Sequence, residues 1–438
     1  ASGFTGARVA LLLQSLADKG ESLRWAIAGR SEEKLTKTAT KFNLRPTAVL
    51  TANSDDEQSL LSLAQKARVV LNCAGPYRFT GEALVRACIA AGTDVIDLCG
   101  EPEYIDRIML HHAGAARKAG VIVAHACAFD SVPADVGTLF AALQFKSPAK
   151  CAHATMYHTF SPPAGVAGAN ANVTTFNAAV HGFGAVGPTR EQRRQLMRQL
   201  EEQAPGSSKG VPPIGPKLKP RGGPFWNERL QKWCFLFPGA DSAVVRASQR
   251  TLVARAPAEQ ATRLGPQFGG YFCVSSTFSM LRVAFFGGLF NFLATKAWGR
   301  RLLLANPQFF TCGAFSSEGP TQEMLDGTSF TTVFEAAGYS SYDAASPPDK
   351  FDRFVTCAVA GPEPGYVATP LFFVAVARTL LEDRASLPSG GVFTPGSLLG
   401  LGGEAVVLRF ISRCEAAGIS FKVLGSAQGG FPAIASKL

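Results

Sequence analysis

Short apolar runs alternate with longer amphipathic segments over the first 135 residues of the chain. Helical patterns follow two of these runs, over residues 81–92 and 103–120. Strands and helices that alternate at this spacing predict an α/β fold with a doubly wound parallel sheet. The apolar runs that have the length of strands lie at 25–28, 69–73, 94–98 and 121–124.

A glycine-rich turn opens the sequence and leads into an apolar helical run. In Rossmann domains the backbone amides of such a turn, at the start of a helix, bind the diphosphate of a dinucleotide. A strand normally precedes this turn, and no such strand stands before Ala1; one glycine before Ala1 would complete the fingerprint. We therefore expect a Rossmann domain whose cofactor contacts include Ser2, Gly3, Phe4, Thr5 and Gly6.

The choice of dinucleotide rests on Arg30, which follows the run at 25–28. Rossmann domains carry the residue that contacts the adenosine ribose about 20 residues after the glycines. An acidic residue there favours NAD, whereas a guanidinium pairs with the 2′-phosphate of NADP. Ser31 and Lys34 lie close by. We predict NADP(H), with NAD as the alternative; the structural alternative for Arg30 is an exposed residue at a helix start.

Ligands in open α/β sheets bind beyond the carboxyl ends of the strands. This rule places residues 72–77, 99–101 and 127–131 on one rim, beside the cofactor. His125 is the one imidazole close to this rim, and we expect it inside a strand. The further residues predicted to contact the cofactor are Asn72, Ala74, Gly75, Pro76 and Ser131.

Three residues of the same rim are candidates for catalysis. Tyr77 has a phenolic proton to donate, and Glu101 and Asp130 are carboxylates at strand ends. Each also has a structural interpretation. Tyr77 stacks on the nicotinamide, Glu101 binds a neighbouring backbone amide, and Asp130 with Ser131 caps the helix that follows.

Nine short motifs follow one another along the chain: ASGFTG, AGRSEEKL, VVLNCAGPYRFTGE, DLCGEPEY, AFDSVPADVG, PIGPKLK, SSEGPT, GPEPGYVATP and GGVFTPG. Together they resemble the saccharopine dehydrogenase-like oxidoreductases, and also bacterial trans-acting enoyl reductases of lipid assembly. The resemblance runs from Ala1 to about Gly418. It implies an NAD(P)-binding Rossmann domain, a mixed α/β second domain, a C-terminal segment that packs back on the first domain, and reduction as the chemistry. Association with lipid droplets, mitochondria or other membranes is typical of the eukaryotic members.

We accordingly expect three parts in the chain. Residues 1–135 are the NADP-binding Rossmann domain, residues 136–388 form the second α/β domain, and residues 389–438 are the return segment. A length of 438 residues agrees with more than one hydrophobic core.

An apolar segment at 268–304 stands out in the second part. Its uninterrupted apolar run, 283–294, is shorter than the roughly 20 residues that span a bilayer. We therefore predict a helix that lies in a membrane interface, and docking on a membrane, a lipid droplet or a membrane-protein complex through 283–301. A buried core helix or a protein–protein interface is the alternative. The basic and aromatic flanks are Arg282, Lys296, Trp298, Arg300 and Arg301.

Composition narrows the partners. The net charge of +10 suits an anionic membrane surface or a phosphorylated ligand. Long basic tracts interleaved with aromatics do not occur, so nucleic acid is not expected. Ten cysteines lie scattered without a C-x-x-C pair, which indicates reduced, mostly buried thiols and a reducing compartment. His111 and His112 are adjacent and make a poor chelate, so no metal is expected.

Two functions remain open from the sequence. The first is an NADP(H)-dependent reductase of a lipid-like or apolar carbonyl, imine or enoyl substrate, at a membrane, a lipid droplet or a mitochondrion. The second is a non-catalytic accessory subunit of a membrane protein complex, with a nucleotide sensor as a simpler variant. A homodimer is compatible with either.

Overall fold

A computed structural model gives the fold, and it describes residues 1–163, 165, 171–184, 186–203, 211–343, 345–346 and 348–433. The chain divides into two compact units. The first unit contains residues 1–136 and 366–417, and the second contains 137–365 and 418–438.

The first unit begins with alternating helices and parallel strands. The elements of the chain up to residue 143 are α1 (Phe4–Asp18), β1 (Ala26–Gly29), α2 (Glu32–Lys41), β2 (Ala48–Thr51), α3 (Glu57–Ala64), β3 (Val69–Asn72), α4 (Tyr77–Ala91), β4 (Asp94–Asp97), α5 (Pro102–Ala119), β5 (Ile122–Ala124) and α6 (Val132–Leu143). The boundary between the two units falls within α6, after residue 136. β1 pairs with β2, and β4 lies between β3 and β5. The predicted parallel α/β fold is confirmed.

The second unit is built on a mixed sheet with helices. Its elements up to residue 362 are β6 (Lys150–Ser161), β7 (Ala171–Asn172), α7 (Val173–Gly184), α8 (Val186–Gln203), β8 (Phe225–Asn227), β9 (Lys232–Leu236), α9 (Asp241–Arg255), α10 (Ala258–Leu264), β10 (Gln267–Val274), α11 (Thr277–Ala294), α12 (Ala297–Ala305), α13 (Pro307–Phe310), β11 (Phe315–Ser316), α14 (Gln322–Gly327), β12 (Ser329–Tyr339) and β13 (Arg353–Pro362). The order of the main sheet is β13–β12–β6–β10–β9–β8, in which β6 and β10 are parallel and the other pairs antiparallel.

The chain then returns to the first unit. The returning elements are a π-helical turn (Pro364–Ala368), α15 (Thr369–Glu382), a 3₁₀ turn (Arg384–Ser386), β14 (Gly391–Phe393), α16 (Pro395–Leu401) and α17 (Glu404–Ala416). β14 pairs in parallel with β5 and extends the Rossmann sheet. The final strand, β15 (Ser420–Gln428), pairs with β13 and so belongs to the second unit.

The return segment therefore has other limits than the predicted 389–438. It begins at Tyr366, because α15 is buried along most of its length within the first unit, and it ends at Ala417. Arg384 fixes it to the Rossmann sheet. Its guanidinium donates to the Asp94 carboxylate at 3.0 Å and to the carbonyl oxygens of Gly120 and Ser389, both at 2.7 Å.

Candidate functional site

The N-terminus of α1 is suited to bind an anion. Gly3 stands in the N-cap position with extended backbone, and no side chain caps the helix. The first amides of a helix have no partner within the helix, so here they face outward for a ligand. Gly6 allows the turn to close, since a Cβ there would lie 2.9 Å from Ala1 Cα. The contacts of Ser2 to Gly6 with a diphosphate stay a prediction, and the uncapped helix start is compatible with it.

Phe4 has a packing role within this turn. Its ring meets Tyr366 of the return segment edge-on, with 4.6 Å between the ring centroids. The Arg8 guanidinium lies 5.5 Å from the centroid of the same ring. The side chain of Phe4 therefore anchors the turn, and its backbone amide is the group it can offer to a cofactor.

Arg30 lies directly after β1, at the carboxyl end of the strand, and its side chain is exposed. Within the part of the chain that the structure describes, no carboxylate pairs with its guanidinium. Ser31 caps α2 by accepting a hydrogen bond from the Lys34 amide at 3.3 Å. The Lys34 side chain is exposed on the first turn of that helix. The contact of Arg30, Ser31 and Lys34 with a 2′-phosphate stays a prediction.

The loop after β3 is held by its own polar groups. Asn72 Oδ1 accepts a hydrogen bond from the Ala74 amide at 3.0 Å. The Thr80 hydroxyl donates to the Ala74 carbonyl at 2.9 Å, and the Gly75–Pro76 peptide bond is cis. Asn72 is buried, whereas Ala74 and Gly75 are exposed on the rim. The loop therefore presents backbone, rather than long side chains, to a ligand.

Tyr77 is bound to the ends of two strands. Its hydroxyl donates to the Asn72 carbonyl at 3.0 Å and accepts from the Leu98 amide at 3.3 Å. Burial raises the pKa of the phenol well above its usual value. Because the proton is held by a backbone carbonyl, we assign Tyr77 to fixing the rim rather than to proton transfer.

Glu101 is occupied in a similar way. One carboxylate oxygen accepts from the Tyr77 amide at 2.9 Å, and the other accepts from Arg78 Nε at 2.6 Å. Both side chains of the ion pair are largely buried. The geometry therefore favours the structural interpretation of Glu101 over a catalytic one: its carboxylate binds a neighbouring backbone amide.

Asp130 and Ser131 lie just before α6. The Ser131 hydroxyl donates to Asp130 Oδ1 at 3.1 Å. A Cβ at Gly100 would lie 2.7 Å from Asp130 Oδ2, so the carboxylate rests against the loop after β4. Ser131 is fully buried, whereas Asp130 is half-buried. Among the three residues predicted to be catalytic, Asp130 is the most exposed at the rim.

A buried Asp97–His125 pair was not singled out from the sequence. Asp97 Oδ2 and His125 Nδ1 share a hydrogen bond of 2.7 Å, and Asp97 Oδ1 accepts from the amides of Cys99 and Ala126 at 3.0 and 3.3 Å. Asp97 thus joins the loops that follow β4 and β5. His125 lies after β5 and not inside the strand as expected. The sequence feature that could have indicated this pair is Asp97 itself, an acidic residue at the end of a buried strand.

Three thiols lie along the same rim, those of Cys73, Cys99 and Cys127. Burial raises the pKa of Cys73 to about 12 and the pKa of the other two well above the usual value. All three are therefore protonated at neutral pH. Groups of three or more His, Cys, Asp or Glu side chains that could hold a metal ion do not occur among the described residues.

Two motifs that are far apart in the sequence meet below the rim. Asp135 Oδ2 accepts from the Gly396 amide at 2.7 Å, and a Cβ at Gly396 would clash with that carboxylate. Thr394 and Ser397 form a capping box at the start of α16. The segments PADVG and FTPG are thus the two halves of one buried contact.

These features define a Rossmann-type NAD(P)-binding domain, and the chain also contains a second α/β unit. The family model of the saccharopine dehydrogenase NADP binding domain matches residues 1–124. The human saccharopine dehydrogenase-like oxidoreductase is 34% identical over 98% of this chain and 96% of its own length. A Caenorhabditis elegans relative, named lipid droplet localized protein, is 30% identical over 91% of this chain and 92% of its own. The chain therefore belongs to the saccharopine dehydrogenase-like oxidoreductase family, and it is an NADP-binding oxidoreductase.

A solved structure shows the same fold at low sequence identity. Saccharopine dehydrogenase (L-Glu forming) from Saccharomyces cerevisiae superposes with a TM-score of 0.53 and is 13% identical, over 97% of this chain and 98% of the yeast chain. The predicted fold, family and cofactor are confirmed by these matches.

Proposed function

We propose that this protein is an NADPH-dependent reductase that acts on an apolar, lipid-like carbonyl, imine or enoyl substrate at a membrane or lipid-droplet surface. The observation that carries the surface part is a concentration of exposed apolar side chains. Thirteen large hydrophobic side chains are exposed in the described part of the chain, and seven of them lie within residues 278–309. This apolar surface consists of Phe278, Leu281, Phe285, Phe292, Trp298, Leu302 and Phe309.

The arrangement of α11 supports docking on a surface. Phe278, Phe285 and Phe292 recur every seven residues and so lie on one side of the helix. Leu293 and Ala294 are buried against a cluster that contains Phe176 of α7. α11 is thus packed at its C-terminal end and exposes apolar side chains along the rest of its length, which supports contact with a lipid surface.

Two described helices are nevertheless long and apolar enough to cross a membrane, α11 and the helix at 364–382. The second is mostly buried, as a core helix is, whereas α11 is largely exposed. Basic groups accompany α11: the Lys296 ammonium lies 3.7 Å from the centroid of Phe292, and Arg282 and Arg301 are exposed. Basic residues beside apolar ones favour anionic headgroups.

The enzymatic part of the proposal rests on the residues of the glycine-rich turn and the rim. Bound NADPH supplies a hydride. The amides from Gly3 to Gly6 would hold the diphosphate, and Arg30 would pair with the 2′-phosphate. Reduction of a carbonyl or imine also requires a proton. Asp130, which the Ser131 hydroxyl orients, is our candidate to hold that proton beside the substrate.

The test uses the purified full chain and NADPH. We expect NADPH fluorescence to report binding. We also expect NADPH oxidation to be faster when a long-chain ketone or enoyl ester is offered in vesicles than when it is offered in buffer without vesicles. Asp130→Asn should retain NADPH affinity and lose turnover. Binding without oxidation of any such substrate would contradict the enzymatic part; equal rates with and without vesicles would contradict the surface part.

One observation favours a second candidate function, a non-catalytic accessory subunit of a membrane complex. Tyr77 and Glu101, two of the three predicted catalytic residues, are fully engaged with the chain itself. A family member without turnover would keep these contacts, because they stabilise the fold. Co-purification of a stable membrane-protein assembly, together with NADPH binding and no oxidation, would favour this candidate.

A further inference from the structure

Two cysteines face each other in the main sheet of the second unit. Cys234 of β9 is directly opposite Cys273 of β10 in the antiparallel register. Their sulfur atoms lie 3.0 Å apart. Both residues are buried and both are in the thiol form. Such an approach brings two nucleophilic groups into contact outside the Rossmann domain.

The ladder places this pair at a site where strands come closest. The Phe237 amide donates to the Gly270 carbonyl at 3.0 Å, so Phe237 and Gly270 are a hydrogen-bonded pair. Pairs alternate along an antiparallel ladder, and three steps further the Cys234–Cys273 pair is therefore a non-hydrogen-bonded one. Cα atoms in such pairs are about 4.5 Å apart, which lies within the range of disulfides.

A second pair in the same sheet provides a contrast. Cys151 of β6 and Cys357 of β13 are also buried thiols, but β12 lies between these strands. Two strand spacings amount to about 9.5 Å, which is too far for a disulfide. Position in the ladder, and not burial alone, thus distinguishes Cys234 and Cys273.

We propose that Cys234 and Cys273 are a redox modification site, at which hydrogen peroxide converts the two thiols into an intramolecular disulfide. One thiol loses its proton, and the thiolate attacks a peroxide oxygen to form a sulfenic acid. The O–O bond breaks, and the hydroxide that leaves takes up the proton to become water. The second thiol attacks that sulfur, the S–S bond forms, and a second water leaves. Two thiols are oxidised by two electrons, one peroxide is reduced, and two waters result.

Cys234 is the nucleophile in this scheme. A hydrogen bond between its sulfur and the Cys273 thiol lowers the pKa of Cys234, although burial opposes the effect. The same contact, followed by burial, raises the pKa of Cys273. The reaction therefore begins at Cys234 and is resolved by Cys273, as in pairs of a reactive and a resolving cysteine.

The bond would lie at the base of the apolar helix. Cys273 is near the end of β10, and α11 begins at Thr277, where Ser276 caps it by accepting from the Ser279 amide at 3.0 Å. A disulfide would fix β9 to β10 immediately before this helix. Oxidation would thus stiffen the strand pair from which the apolar surface projects.

The test begins with the reduced full chain, which is treated with hydrogen peroxide, quenched, denatured and alkylated. Digestion without reductant followed by mass spectrometry should show the Cys234 and Cys273 peptides linked, with loss of two hydrogens and reversal by dithiothreitol. Cys234→Ser and Cys273→Ser should each abolish the linked peptide. Cys151→Ser should leave it unchanged.

The wild-type chain also gives a readout that needs no variant. Because the bond closes a loop in the unfolded chain, the oxidised protein should unfold about 4 °C higher than the reduced protein. Full alkylation of Cys234 and Cys273 after peroxide treatment would overturn the proposal. Oxidation of Cys234 to the sulfinic acid without a cross-link would overturn it as well, since Cys273 would then not be a resolving thiol.

Discussion

The double substitution Phe285→Glu and Phe292→Glu should release the protein from lipid surfaces. The two rings are 66% and 54% exposed, and they lie seven residues apart on the outer side of α11. Neither belongs to the buried cluster that joins α11 to α7. The substitutions therefore change the surface and leave the packing beneath it intact.

The magnitude follows from these exposures. A phenylalanine side chain offers about 150–250 Å² of area, so each exposed ring has roughly 100–150 Å² left to bury. At about 25 cal/mol per Å², complete withdrawal from water would stabilise the bound state by about 3 kcal/mol for each ring. A helix in the interface withdraws only part of each ring from water. If half of this free energy is realised, the two rings together contribute about 3 kcal/mol, or roughly a 100-fold change in partition coefficient. Glutamates also repel anionic lipid, so we expect at least this loss.

Flotation with vesicles of phosphatidylcholine and phosphatidylserine measures the effect, with triglyceride emulsions as a lipid-droplet substitute. Leu408→Glu is the matched control, because Leu408 is a 46% exposed apolar residue on α17, outside the apolar surface. This control should float with the wild type, and the double variant should remain at the bottom of the gradient with an unchanged melting temperature. Equal flotation of the wild type and the double variant would refute the assignment of α11 to a lipid surface.

Three further predictions concern the first unit. Arg30→Asp should weaken NADPH binding by about 1–3 kcal/mol and shift preference towards NADH, measured by fluorescence titration with both cofactors; unchanged affinities would remove Arg30 from the cofactor site. Glu101→Ala should lower the free energy of unfolding by about 3–5 kcal/mol in urea, because the Arg78 guanidinium and the Tyr77 amide lose their buried partner; a loss below about 1 kcal/mol would contradict this role. Cys73, whose pKa burial raises to about 12, should resist iodoacetamide at pH 8 while exposed Cys312 reacts, as peptide mass spectrometry can show.

The sheet of the first unit could be predicted because its central strands are apolar and are bounded by turn residues. The strands at 69–73, 94–98 and 121–124 were found within one residue of the observed ends. β2 and α3 were not predicted. β2 has four residues, each exposed or half-buried, and it lies in a polar stretch, so its sequence carries no strong period. Pairing with β1 forms it, and that pairing is a tertiary contact.

Contacts between distant segments explain the other differences. The return segment begins earlier than predicted. The sequence of α15 is apolar around most of its circumference, and this pattern predicts that the helix is buried. It does not indicate which sheet the helix packs against, so the boundary could not be placed. The bond between Asp135 and the Gly396 amide joins residues that are 261 positions apart. Both segments belong to motifs on which the family resemblance rests. Their contact with each other is visible only in the folded chain.

Carboxylates at the ends of parallel strands have two uses, and the sequence cannot separate them. The loops there leave buried backbone amides without partners, and a carboxylate that accepts from them stabilises the fold. Asp97 and Glu101 serve in this way, and each oxygen of each group accepts from the chain. Asp130 differs in burial, because it remains half-buried at the rim, where its Oδ1 accepts from the Ser131 hydroxyl. Of the three carboxylates, Asp130 is therefore the one that we propose as the proton donor, and Asp130→Asn is the variant that tests it.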